Sequence, residues 1–269
     1  MAAVFDRAAA TYDNVGVPWF TPLAEGLIRE IAPRPGERAL DIGCGRGAAL
    51  FPLAEAVGPT GQVTGIDLAP GMVEATREDV SARGLTNVDL HVMDAAAPEL
   101  PEASFDVVAA SFVIFFLPEP IPALTAWRKL LIPGGRLGIS TFGRRDPRWE
   151  RIDEVFVPYQ PAQLREARSG GVGGPFRTDE GVAALLSAAG FTGIRTAGLD
   201  FEVVFTGPEQ WHDWSWSHGQ RAFWEMVPAA ERERVRAIAT ERIEEARGPD
   251  GRIRLSQRVR YTVAERPPD

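Results

Sequence analysis

Three carboxylates, Asp41, Asp67 and Asp94, recur 26 and 27 residues apart, each at the end of a short apolar run. Ala39, Leu40 and Ile42 surround the first, Gly65-Ile66 precedes the second, and Val92-Met93 precedes the third. Asp41 is followed by Gly43, Gly45 and Gly47 at alternate positions, and residues 48–57 then read as a helix. Glycines at a strand-to-helix turn let the backbone bend tightly and let a ligand approach with no Cβ in the way. The turn is therefore a ligand platform with an acid beside it.

Dinucleotide folds also use a Gly-x-Gly turn, but their third glycine falls three residues after the second. Here Gly47 comes two after Gly45, and Ala48 takes the next place. A carboxylate at Asp41 repels a pyrophosphate and suits an amine. A ligand with an ammonium and a sulfonium and no phosphate, such as S-adenosylmethionine, matches those charges. The stretch Arg38-Ala-Leu-Asp-Ile-Gly-Cys-Gly-Arg-Gly47 resembles motif I of the class I S-adenosylmethionine-dependent methyltransferases. Gly65-Ile66-Asp67-Leu68, Val92-Met93-Asp94-Ala95, Phe105-Asp106-Val107-Val108 and Leu130-Leu-Ile-Pro-Gly-Gly135 resemble the family's later motifs, in order and at its spacing. The resemblance covers roughly residues 4–141.

That resemblance implies a set of roles. Asp67 accepts from the ribose hydroxyls, Asp94 and the Ala95 backbone meet the adenine, and Leu68 and Met72 pack its faces. Asp41 and the Gly43 carbonyl meet the methionine ammonium beside Cys44 and Gly45. The backbone at Ser111 and Phe112 closes that side. The start of the chain, Phe5 followed by Tyr12-Asp13, is similar to quinone-synthesis methyltransferases, in which this segment folds over the cofactor. Tyr12 is then a candidate for the methionine end, against the alternative of a loose helix end. Nucleic-acid and protein amide methyltransferases often carry Asn/Asp-Pro-Pro-aromatic where this chain has Ser111-Phe112-Val113-Ile114, which points to a small-molecule acceptor. Proteins of this fold that use the cofactor for cyclisation, or that only bind it, are the alternatives.

The elements that position these residues alternate strand and helix, which implies a parallel sheet with helices on both faces. The expected architecture is α/β, and the family resemblance implies a Rossmann-like, seven-stranded, mostly parallel sheet whose antiparallel last strand covers about 258–265. Residues 1–36 form an N-terminal helical segment over the cofactor. Residues 37–206 and 252–269 form the core, with an insertion at 144–176 that holds a short helix near 149–156 and a glycine-rich loop. Residues 207–251 form a helical lid inserted before the last strand.

Methyl transfer is a displacement in which the protein mainly supplies proximity and alignment. An oxygen or carbon acceptor can also need a base. Among three histidines, His218 is the candidate, and no dedicated base at all is the competing reading. Trp211, Trp214 and Trp216 read either as the wall of a flat apolar acceptor's pocket or as the core of the lid. Trp19, Phe20, Phe116 and Tyr159 are further wall candidates. No metal site is expected. The formal net charge of −8 argues against nucleic-acid or anionic-membrane binding. Cys44 is the only cysteine, so no internal disulfide forms. With no signal pattern and no apolar run long enough to span a bilayer, the expectation is a cytoplasmic protein, monomer or homodimer.

Overall fold

A computed structural model describes residues 2–161 and 174–268. The glycine-rich part of the insertion lies outside the described residues.

The strands are β1 (Arg38–Ile42), β2 (Gln62–Asp67), β3 (Val88–Val92), β4 (Phe105–Ser111), β5 (Leu131–Arg145), β6 (Thr192–Phe205) and β7 (Ile253–Glu265). They form one sheet in the order β3-β2-β1-β4-β5-β7-β6. β7 runs antiparallel to both β5 and β6, and the other neighbouring pairs are parallel. The central strands are buried on both faces, so β1 and β4 read as nearly continuous apolar runs. The strand order reverses beside β1, which opens a crevice at the carboxyl ends of β1 and β4.

The helices are α1 (Ala2–Ala8), α2 (Phe20–Ile31), α3 (Leu50–Val57), α4 (Pro70–Ala82), α5 (Pro120–Leu130), α6 (Pro147–Asp153), α7 (Asp179–Ala188), α8 (Pro208–Trp216), α9 (Arg221–Met226) and α10 (Arg232–Glu244). One core joins α2 and α3 to one face of the sheet and continues into the cap through Trp211, Trp214, Trp224, Val235 and Ile243. A second core lies under α5 and α7 around Trp127 and Leu186. The cap formed by α8, α9 and α10 sits between β6 and β7 in sequence and shares the first core with the sheet.

Several boundaries differ from the sequence expectation. The glycine turn extends through Ala49, and α3 begins at Leu50, not at Ala48. β5 and β7 are much longer than their apolar centres, because each gains a full ladder from the other. Arg260, 5 % exposed within β7, is tied to Asp179 Oδ1 (2.5 Å), Thr141 Oγ1 (3.1 Å) and the Phe176 carbonyl (3.1 Å). A buried guanidinium is tolerated only when paired in this way.

Candidate active site

The glycine turn is pinned from below. The Gly43 and Cys44 amides both donate to the Ile66 carbonyl (2.8 and 2.9 Å), which docks the turn on β2. Gly43 has φ +68°, and a Cβ there would meet Val113 Cγ2 at 2.4 Å, so both conformation and space require glycine. Gly45 differs: its φ is +48°, yet a Cβ there would meet nothing within 4 Å. That open space lies over the turn, where a ligand would rest.

Asp41 is 1 % exposed and neither of its carboxylate oxygens has a hydrogen-bond partner. Burial, and then the nearby Asp67 carboxylate, push its pKa well above the ordinary carboxylate range; the Leu50 amide offsets this only slightly and makes no full hydrogen bond. An orphaned buried carboxylate is costly unless something cationic meets it. Asp67, at the end of β2, accepts from the Gly45 amide through Oδ2 (2.9 Å) and from the Ala69 amide through Oδ1 (2.9 Å). Burial raises its pKa, and these amides work against that rise. The carboxylate thus latches the turn while its remaining lone pairs stay free for hydroxyls. Leu68 beside it is 51 % exposed, an apolar surface fit to carry a flat ring.

The third acid completes this edge. Asp94 Oδ1 accepts from the Ala96 amide (2.8 Å), and the Ala95 carbonyl accepts from the Trp127 indole N–H (2.7 Å). Trp127 therefore fixes the loop after β3 from the far side of α5. Opposite, Phe112 follows β4 with φ +59°. A bulky residue in the left-handed region is strained, and here its amide is held by the Ser140 carbonyl (3.2 Å) and Ser140 Oγ (3.1 Å). Ser111 Oγ lies 3.1 Å from the same Ser140 hydroxyl.

The N-terminal segment crosses above. Asp13, with φ +52°, accepts from the Trp19 and Phe20 amides through Oδ1 (3.2 and 3.1 Å) and from the Thr21 amide through Oδ2 (3.0 Å). It caps α2 from outside the helix, satisfying donors at the start of the first turn. That cap places Tyr12 in a stack on Phe20, with ring centroids 4.9 Å apart. Burial pushes the Tyr12 phenol well above its ordinary pKa, with Asp13 and Asp67 adding to the effect. α1 is held to α4 by the Gly71 amide, which donates to Asp6 Oδ1 (2.6 Å), and to the cap by Arg7, which pairs with Glu225. Arg221 Nε donates to the same Glu225 (2.9 Å), and the two guanidinium groups hold its carboxyl at about 2.

Tyr12, Phe20, Asp41, Gly43, Cys44, Gly45 and Ser111 line one cavity of about 30 Å³, room for about one water. A larger cleft of about 450 Å³ lies behind the turn against Phe51, Glu55 and Arg83, away from these acids.

The expected residues do not all converge. Met72 is buried against Ala9, Ala69, Phe5 and Tyr12, so it supports the N-terminal segment and not a ligand face. Trp19 is buried and meets Phe20 (6.4 Å) and Trp214 (5.3 Å) edge-on. Phe112, Phe142 and Phe115 continue this aromatic wall, and Phe116 is half-exposed against Phe5. Trp211 is fully buried against Trp224 in the cap core, and the partly buried Trp216 stacks on Trp224 at the edge of that core. The Tyr159 hydroxyl, in the insertion, donates to Glu231 of the cap (2.7 Å). These three stand apart from the cavity because the small cap has to build its own core. Sequence reasoning does not assign Asp13, Trp127 or Phe142 a place in the site: Asp13 acts across an irregular loop, and Trp127 and Phe142 meet partners remote in sequence, with no spacing signal.

The residues present fit S-adenosylmethionine: unmet acceptors for an ammonium at Asp41, a carboxylate for hydroxyls at Asp67, an apolar shelf at Leu68 and a turn open above Gly45. Comparison with known proteins agrees. Residues 39–135 match a family model described as a methyltransferase domain. The chain is 38 % identical to nocamycin O-methyltransferase of Saccharothrix syringae, over 97 % of this chain and 96 % of that protein. It is 45 % identical to the aklanonic acid methyltransferase of Streptomyces sp. (strain C5), over 60 % of this chain and 74 % of that one. Its fold is similar to the YcgJ protein of Bacillus subtilis, with a TM-score of 0.61 at 16 % identity, covering 92 % of this chain and all of that one. Acids at three strand ends, the glycine turn and an end-to-end relative lead to one conclusion: this chain belongs to the class I S-adenosylmethionine-dependent methyltransferases.

Proposed function

We propose that this methyltransferase acts on an oxygen of a flat aromatic or polycyclic small molecule from secondary metabolism. The aromatic wall carries this reading: Phe20, Phe112, Phe142 and Trp19 form a continuous series of ring contacts leading from the Asp41 cavity to Trp214 in the cap. Offset and edge-on rings of this kind favour a planar, apolar ligand. The relatives named for nocamycin and aklanonic acid support a small-molecule acceptor, and the first, an O-methyltransferase, supports an oxygen.

S-adenosylmethionine supplies an activated methyl group with its own leaving group. The chain's part is to hold and align. Asp41, Asp67 and the glycine turn anchor the donor, the strained Phe112 backbone walls the methyl side, and the cap acts as a lid that excludes water. The net charge of −8 argues against nucleic acid as the acceptor. Among the described residues, no helix is long and apolar enough to cross a membrane.

The test is methyl transfer from labelled S-adenosylmethionine to a panel of planar polyketide-type acceptors, with product mass and position of the label read by mass spectrometry. Transfer to oxygen of a planar acceptor is expected. Transfer only to a nitrogen substrate such as an amino-alcohol phosphate would overturn the reading.

A further inference from the structure

His218 stands one ring from the cavity. It meets Phe20 edge-on at 6.0 Å and Trp214 at 4.2 Å. Its Nδ1 accepts from the Gln220 amide (3.3 Å), which assigns the ring proton to Nε2. Nε2 is wholly buried and has no partner. The amide that sets this tautomer is itself anchored. The Gln220 side chain donates to Asp153 Oδ1 (2.9 Å), and Arg145, the last residue of β5, donates to Asp153 Oδ2 (3.0 Å). So a chain of hydrogen bonds runs from the sheet through the insertion to the imidazole. Burial alone lowers the His218 pKa to about 3, so the ring is neutral throughout the physiological range.

On the opposite side of Trp214, Trp149 has ring centroids 5.6 Å away and a buried indole N–H that also lacks a partner. Both unmet groups around Trp214 are donors. At Asp41 the unmet groups are acceptors. The two ends of the site therefore call for opposite partners: a cation on the sheet side and an oxygen on the cap side.

We propose that His218 is a fixed hydrogen-bond donor to an oxygen of the acceptor molecule and does not serve as its base; Gln220, Asp153 and Arg145 are positioning residues that hold the donating tautomer. The inference rests on the oxygen-acceptor reading above. An acceptor oxygen uses its own lone pair to form the O–C bond as the S–C bond breaks, and the S–C bonding pair goes to sulfur. Any proton on the oxygen leaves to solvent, because Nε2 already carries one. An oxygen acid ionised near neutral pH, such as a carboxylic acid, is favoured over a phenol.

The test uses the full-length enzyme saturated with S-adenosylhomocysteine and anthraquinone-2-carboxylate as probe. His218→Phe keeps a ring and removes the donor; His218→Gln restores an N–H near the Nε2 position and has no basic lone pair. His218→Phe should weaken probe binding about tenfold or more, with His218→Gln within about threefold of wild type. Anthraquinone-2-carboxamide should bind more weakly than the acid. Nitrogen-15 spectra of the imidazole should show a protonated Nε2 and a bare Nδ1, with no titration from about pH 8 to about pH 5. Gln220→Leu should let the second tautomer appear in the same spectra. Equal loss in the Phe and Gln variants, a titration near neutrality, or no preference for the acid would overturn the proposal. Failure of S-adenosylhomocysteine to bind would instead strike the cofactor assignment, and transfer to nitrogen the oxygen reading.

Discussion

Replacing Asp41 by asparagine should move folding stability and cofactor affinity in opposite directions. In the ligand-free protein the carboxyl is buried, unpartnered and close to Asp67, and its pKa is raised. A raised carboxyl pKa means that the fold favours the protonated form. The wild type has its full stability below the ordinary carboxylate range and loses it as pH climbs through the raised value, by up to about 1.4 kcal/mol for every tenfold gain in proton affinity on folding. Asparagine does not titrate. The two proteins should therefore melt close together in acid, and the variant should gain with rising pH. A gain of 1 kcal/mol corresponds to roughly 2–4 °C in a protein of this size class. With the ligand the sign reverses. Removing one partner of a buried ion pair costs about 3–5 kcal/mol, or roughly 150- to 4,000-fold in the dissociation constant for S-adenosylhomocysteine. Melting curves at several pH values and titration calorimetry read both quantities. Below the raised pKa, calorimetry in buffers of different ionisation enthalpy should also show proton release on binding. An affinity within about threefold of wild type, together with a lower melting temperature at every pH, would refute the assignment of Asp41 to the ammonium.

Asp67→Ala should weaken S-adenosylhomocysteine by about 2–4 kcal/mol and also lower the ligand-free melting temperature, because the carboxylate latches the Gly45 and Ala69 amides. A lower melting temperature with unchanged affinity would leave it as a latch alone. Trp214→Ala should damage acceptor use more than cofactor affinity, whereas Trp216→Ala should reduce stability with little effect on the acceptor Michaelis constant; paired melting and kinetic measurements separate them. Arg7→Ala should speed cofactor dissociation several-fold in stopped-flow traces while leaving the melting temperature within about 2 °C, and an unchanged off-rate would mean that the Glu225 contact is incidental.

The cofactor half of this protein was legible because its chemistry is local. Asp41, Asp67 and Asp94 each end a strand, and the strand period and the glycines fix where those ends fall. The alternation implied a parallel sheet, and the family resemblance added the seventh, antiparallel strand, as the sheet shows. The acceptor half was not legible to the same degree. Trp211 and Trp214 are three residues apart on one helix face, yet one faces only the cap core and the other reaches Trp19. Trp216 lies well round the helix from Trp214, a separation that the 3.6-residue period does contain. The Asp13 cap bridges an irregular loop, and Trp127 reaches Ala95 across 32 residues, so neither has a repeat to betray it. His218 shows the limit most clearly: its place in the cap was readable, but its tautomer depends on a single backbone amide.

Arg7 and Arg221 share Glu225, and this small junction has a kinetic consequence. One arginine belongs to α1, which we propose straps the methyl donor, and the other to α9 in the cap, which we propose covers the acceptor. Lifting either cover strips a counter-charge from the other, so the two ligands are coupled through the protein as well as by their contact at the methyl group. By linkage, whatever factor the acceptor adds to donor affinity, the donor returns to the acceptor. A two-substrate reaction wired this way favours a fixed order of arrival and departure, with the spent donor held until the methylated product has gone. Donor residence time then becomes a readout of acceptor occupancy, usable for screening unknown acceptors even when their turnover is slow.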